Sequence, residues 1–208
     1  MARLSGATST PVTRPRIDEI LITRRIISVP ILQEPAFKRA HAMPKLRLMV
    51  SGESVEKACS EVGHYTDEQM MDEFDRFFRA QPAVCDFVVE LTHESGQKIQ
   101  ELSLFLSYMV FKTIEVSDIR GAEIVTSEAI ETAYQQTETW MADVSEAEGV
   151  ALEQAIVRSL QRDTEPHLLQ YVISELNEPM EDGGELNDEE KGEVFYVLKT
   201  VISSFCRG

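Results

Sequence analysis

Cysteine is scarce and scattered in this chain, with Cys59, Cys85 and Cys206 the only three among 208 residues. None forms a Cys-x-x-Cys pair or a Cys/His spacing suited to zinc. An odd, dispersed set excludes a disulfide framework and leads us to expect reduced thiols in a cytoplasmic setting. Long apolar runs are also missing. The longest candidate, LSLFLSYMVF at 102–111, has about half of the roughly 18 residues a membrane span needs, and it reads as a buried core helix. There is no G-x-G-x-x-G, no Walker A sequence and no G-x-S-x-G, so dinucleotide, P-loop and hydrolase-elbow chemistry have no footing in the sequence.

Basic residues are the other shortage, and it is local. The net charge is −16, yet residues 1–50 hold nine basic and three acidic side chains, a balance of +6. Residues 51–208 therefore carry −22. A body so acidic repels phosphates, which argues against nucleic-acid binding through its own surface.

With 43% apolar and 27% charged residues, the composition is that of an ordinary globular chain. Residues 1–42 stand apart from the rest. MARLSGATSTPVTRPR has no acid and no continuous apolar stretch of the kind a secretory signal carries, and is expected to be disordered. The following IDEILITRRIISVPIL is dense in β-branched residues and reads equally as a strand, a helix or a segment that orders on a partner. The extension as a whole reads as a partner-binding arm, a targeting peptide, or a dispensable piece ahead of Met43. Residues 43–208 read as a single helical domain.

Helix signals recur through that domain. Ser54 and Gly63 bracket one apolar-periodic stretch, with Gly63 expected to be left-handed. TDEQ at 66–69, SEAE at 145–148 and NDEE at 187–190 have capping-box character, and Pro82 and Pro166 suit a first helical turn. Two phrases are written twice. QPAVCDFVVEL at 81–91 is echoed by EPHLLQYVISEL at 165–176, and VFKTI at 110–114 by VLKTV at 197–201. The expected fold is all-α, a helical bundle or short α-solenoid built from a duplicated three-helix unit. Repeat 1 spans about 66–116, a bridging helix 118–144, and repeat 2 145–206. A homodimer through the two helices that read as apolar nearly all round, at 102–116 and 192–205, is the alternative way to cover them.

Candidate chemistry is sparse. Lys112 and Lys199 are the charges embedded in those two apolar helices. They read as structural ion pairs with Glu90 and Glu175, and less readily as desolvated nucleophiles. Two Glu-x-x-His patterns, Glu61 to His64 and Glu90 to His93, match part of the di-iron carboxylate arrangement, in which i and i+3 share a helix face. The acidic stretch EPMEDGGELNDEE at 178–190 fails the ligand spacing of an EF-hand. It reads instead as a solvated acidic hairpin whose Glu181, Asp182, Glu185, Asp188, Glu189 and Glu190 would attract a basic partner. These observations lead us to expect a helical protein-interaction domain, adaptor or regulatory, with no cofactor, no membrane contact and a protein partner. A metal-binding bundle enzyme is the competing reading.

Overall fold

A computed structural model describes residues 50–117, 123–145, 165–179 and 184–205. The described residues form seven helices and no strand: α1 (Gly52–Val62), α2 (Asp67–Ala80), α3 (Pro82–Thr92), α4 (Gln97–Val116), α5 (Ser127–Ser145), α6 (Pro166–Asn177) and α7 (Asp188–Phe205). The all-α expectation holds for them. The extension at 1–42, Cys206 and the capping pattern at 145–148 beyond Ser145 lie outside the described residues.

Local chemistry explains where the helices begin. Ser51, three residues ahead of the expected Ser54, caps α1, because its hydroxyl accepts the Ser54 N–H. Thr66 and Gln69 form a reciprocal capping box at α2, each side chain accepting the other's backbone N–H. Thr126 accepts the Ala129 N–H at the start of α5. Asn187 accepts the N–H groups of Glu189 and Glu190 at α7, while Glu190 reaches back to the Asn187 N–H. Pro82 and Pro166 open α3 and α6, where a missing N–H has no partner to lose. Gly63 corrects the expectation made of it. It ends α1 in the right-handed region, at φ −62°, with its N–H on Cys59 O. Among the described residues, the glycine that uses positive φ is Gly96, at 93°, where the chain turns into α4.

α4 and α7 pack on each other at the centre. Val194 through Ile202 are buried without interruption, so α7 has no solvent stripe over that stretch. The other helices surround this pair. α1 packs on α4 and α6, α5 on α7 and α3, α3 on α4, α6 on α7, and α2 on α3 and α4. Aromatic rings fill the joints. Phe77 meets Tyr108 and Phe111 at 5.9 and 5.3 Å, and Tyr134 meets Phe87 and Tyr196 at 6.1 and 5.6 Å. Such tilted and edge-on contacts add to the area term of burial. Among the described residues no helix is long and apolar enough to cross a membrane.

Candidate functional site

Three groupings of polar side chains stand out. The first ties chain segments together and begins at the residues that precede the prolines. Gln81 has φ −133° and ψ 55°, and Glu165 has φ −135° and ψ 67°. Neither side chain caps its own helix, because each reaches to another segment. Gln81 Oε1 accepts the Val125 N–H at 2.9 Å, and its Nε2 donates to Glu123 O at 3.0 Å. Glu165 Oε2 accepts the Val50 N–H at 2.8 Å. Both acceptors are buried, as are Val50 and Val125. Each of these N–H groups lies just ahead of a helix and would otherwise be an orphan donor.

The second grouping gathers on α4 where it faces α1 and α2. Lys112 Nζ lies 3.1 Å from Glu61 Oε2 and 4.0 Å from Glu73 Oε2, above the Tyr65 ring at 5.6 Å, with its side chain only 12% exposed. Arg76 donates through two nitrogens to Glu115, at 2.6 and 2.7 Å, and also to Glu73, while its guanidinium stands over Phe111. Tyr108 donates to Glu73 at 3.1 Å. The Arg76 hydrogen bond holds the Glu73 carboxyl below the ordinary carboxylate range against the pull of burial. The same pairing, with Glu115 first, raises Arg76. Burial raises the Tyr108 phenol. Burial works to lower Lys112, but its bonds to Tyr65 and Glu61 prevail and the ammonium is stabilised. A lysine held protonated is an ion-pair partner and a poor nucleophile. The expected Glu90 partner is corrected here, since Glu90 lies on the exposed side of α3 and Glu61 and Glu73 take its place. Lys199, 6% exposed, donates to Ser203 Oγ at 3.0 Å and sits over Trp140 at 5.9 Å. Glu175 borders Tyr171 and Cys59 instead.

The third grouping is the acidic stretch. Glu181 and Asp182 fall outside the described residues. Glu185 and Glu189 are exposed, Asp188 and Glu190 part-buried. The carboxylates of the first turn of α7 complement its positive end, and Glu190 is further engaged in capping. Leu186, buried beside them, anchors the stretch to the body.

The four residues read as metal ligands are placed separately. Glu61 pairs with Lys112. His64 Nδ1 hydrogen-bonds to Ser60 O, and His93 Nδ1 lies 2.8 Å from Glu90 O. Among the described residues, no three His, Cys, Asp or Glu side chains gather closely enough to hold a metal ion. Cys59 and Cys85 are free thiols. Burial pushes Cys59 above its ordinary value and Cys85 up to about 12, which makes both sluggish toward electrophiles.

The grip by Gln81 and Glu165 and the true partners of Lys112 are what sequence reasoning missed. The residue ahead of each proline in the repeated phrase was a signal for the first. Compared with protein families, curated proteins and solved structures, the chain matches none.

Proposed function

We propose that this protein is an interaction module, adaptor or regulatory, whose acidic helical body binds a basic protein partner. The observation that carries the reading is the charge of residues 51–208, −22, together with an exposed acidic approach to α7 at Glu185 and Glu189. A field of that sign draws basic surfaces and speeds their association. The paired, rigidly held polar cluster around Lys112 favours a structural role for those side chains over turnover. Free thiols at Cys59 and Cys85 are in keeping with a reducing, cytoplasmic setting. The test is titration of the chain with a lysine- and arginine-rich peptide at low and at physiological salt. Neutralising Glu181, Asp182, Glu185, Asp188, Glu189 and Glu190 together to their amides should weaken binding and flatten its salt dependence, because exposed charges are screened over about 8 Å at physiological ionic strength. Affinity unmoved by the six substitutions would end the reading. Stoichiometric iron or manganese in the purified protein would return attention to Glu61, His64, Glu90 and His93.

The scaffold itself we infer to be an internal duplication, larger than the three-helix unit read from the sequence. Three paired observations support it. The grips mirror one another: Gln81, before α3, holds the residue ahead of α5, and Glu165, before α6, holds the residue ahead of α1. The packing partners exchange likewise, α1 on α4 and α6 against α5 on α7 and α3. Lys112 over Tyr65 corresponds to Lys199 over Trp140, and Cys59 against Tyr171 to Tyr134 against Phe87. On this reading α5 is no bridge. It opens the second copy as α1 opens the first, with Val50, Ser51 and Ala58 answered by Val125, Thr126 and Ala133. Two copies related this way would offer a partner two similar faces.

A further inference from the structure

We propose that the exposed face of α2 is the docking site for this chain's own residues 20–32, independently of any external partner. Of the four large apolar side chains exposed among the described residues, Met71 at 71% and Phe78 at 41% lie on α2, and Ile124 at 70% lies between the two residues that Gln81 holds at the end of α2. Met71 and Phe78 are seven residues apart, two turns along one face of the helix. Glu68, Asp72 and Asp75, all exposed, interleave with them. Arg79, exposed at the C-terminal end of the same face, offsets one of these carboxylates, so the surface is apolar at intervals and negative on balance between.

The segment ILITRRIISVPIL, residues 20–32, has the complementary chemistry. It contains eight aliphatic side chains and two arginines, with no acid. So many aliphatic groups in so short a stretch lose free energy while they remain in water. Arg24 and Arg25 sit in its middle, where they can meet the carboxylates of α2 while the flanking isoleucines cover Met71 and Phe78. The chain between Leu32 and Val50 can extend to about 60 Å, nearly three times the roughly 21 Å length of α2. Pairing also joins the +6 of residues 1–50 to a body of −22, which lowers the self-repulsion of the acidic surface.

Limited trypsin digestion of the full chain tests this, with cleavage after Arg16 as an internal reference. Because proteolysis follows the population of the open form, cleavage after Arg24 and Arg25 should be about tenfold slower than after Arg16. The double substitution Met71→Asp and Phe78→Asp should bring the rates together, with the helical circular dichroism unchanged. Should that variant fold poorly, the pair Asp72→Lys and Asp75→Lys provides the same release by repulsion. Equal rates in the parent chain overturn the proposal, as does protection that survives both variants. Protection that disappears on dilution also overturns it, in favour of docking onto a second copy.

Discussion

Gln81 joins one part of the fold to another through both ends of its amide. Its carbonyl oxygen and amide nitrogen engage the N–H of Val125 and the carbonyl of Glu123, as a β-bridge would, and it is fully buried. Truncation leaves both backbone groups without their partner; Glu123 is exposed and its carbonyl can turn to water, but the Val125 N–H is buried, and an orphaned buried group costs about 1–3 kcal/mol. Gln81→Ala should therefore lower stability by about 1–3 kcal/mol, measured by urea denaturation. A loss under about 0.5 kcal/mol, typical of a surface change, would show that the grip contributes nothing. Glu175 makes an opposite case. Burial, and then the charge of Glu178, raise its carboxyl above the ordinary range, so the folded chain binds a proton there more readily than the unfolded one. Stability then falls as pH rises from the ordinary carboxylate value through the raised one, and stays reduced above it. Glu175→Gln removes that handicap. Its melting temperature should exceed the parent's at about pH 7.5 and approach it at about pH 3.5, below the ordinary carboxylate value. A variant that melts lower at neutral pH would show that the carboxylate makes a favourable bond there.

Among the elements, what could be read in advance was whatever depends on residues near one another in sequence. The capping box at Thr66 and Gln69, the Asn187 cap and the prolines opening α3 and α6 are local geometry, so the spacing of a few side chains suffices to find them. The apolar surround of α4 and α7 likewise marks a central pair, whatever topology encloses it. Partners distant in sequence could not be found in this way. The repeated phrases point Lys112 to Glu90 because they set Glu90 in the place that Glu175 takes ahead of Lys199. The exposed side of α3 carries Glu90 outward, and a turn of α1 brings Glu61 to within 3.1 Å. The start of α1 was placed at Ser54 because it too is a good cap, but the buried Val50 fixes the chain three residues earlier at Ser51. In the sequence α5 reads as a bridge, although VTSEAI at 125–130 resembles VSGESV at 50–55. Six residues with two identities lie below what inspection separates from chance. The matching grips on Val50 and Val125 are what give that likeness physical weight.

At the scale of the whole molecule, the decisive feature is that the two halves of the chain exchange contacts. α1 is held by α6 and by Glu165, α5 by α3 and by Gln81, and α4 lies against α7. Neither half can satisfy the buried N–H ahead of its first helix, Val50 or Val125, or cover its own central helix. A chain severed between residues 117 and 123 should therefore stay together as a one-to-one complex through size-exclusion chromatography, because the interface is a core divided in two. Each fragment alone should lose helicity or self-associate, as it exposes the face of α4 or α7 that the other covers. Self-association would be the informative failure. If two copies of one fragment paired with each other, the second copy's Gln81 or Glu165 would have to hold a Val50 or Val125 of its own kind, as an internal duplication permits. A fragment that folds as a compact, fully helical monomer would contradict both the exchange of contacts and the duplication inferred from it. In that event the two grips would be incidental contacts between independent domains, and the loss expected for Gln81→Ala would shrink with them.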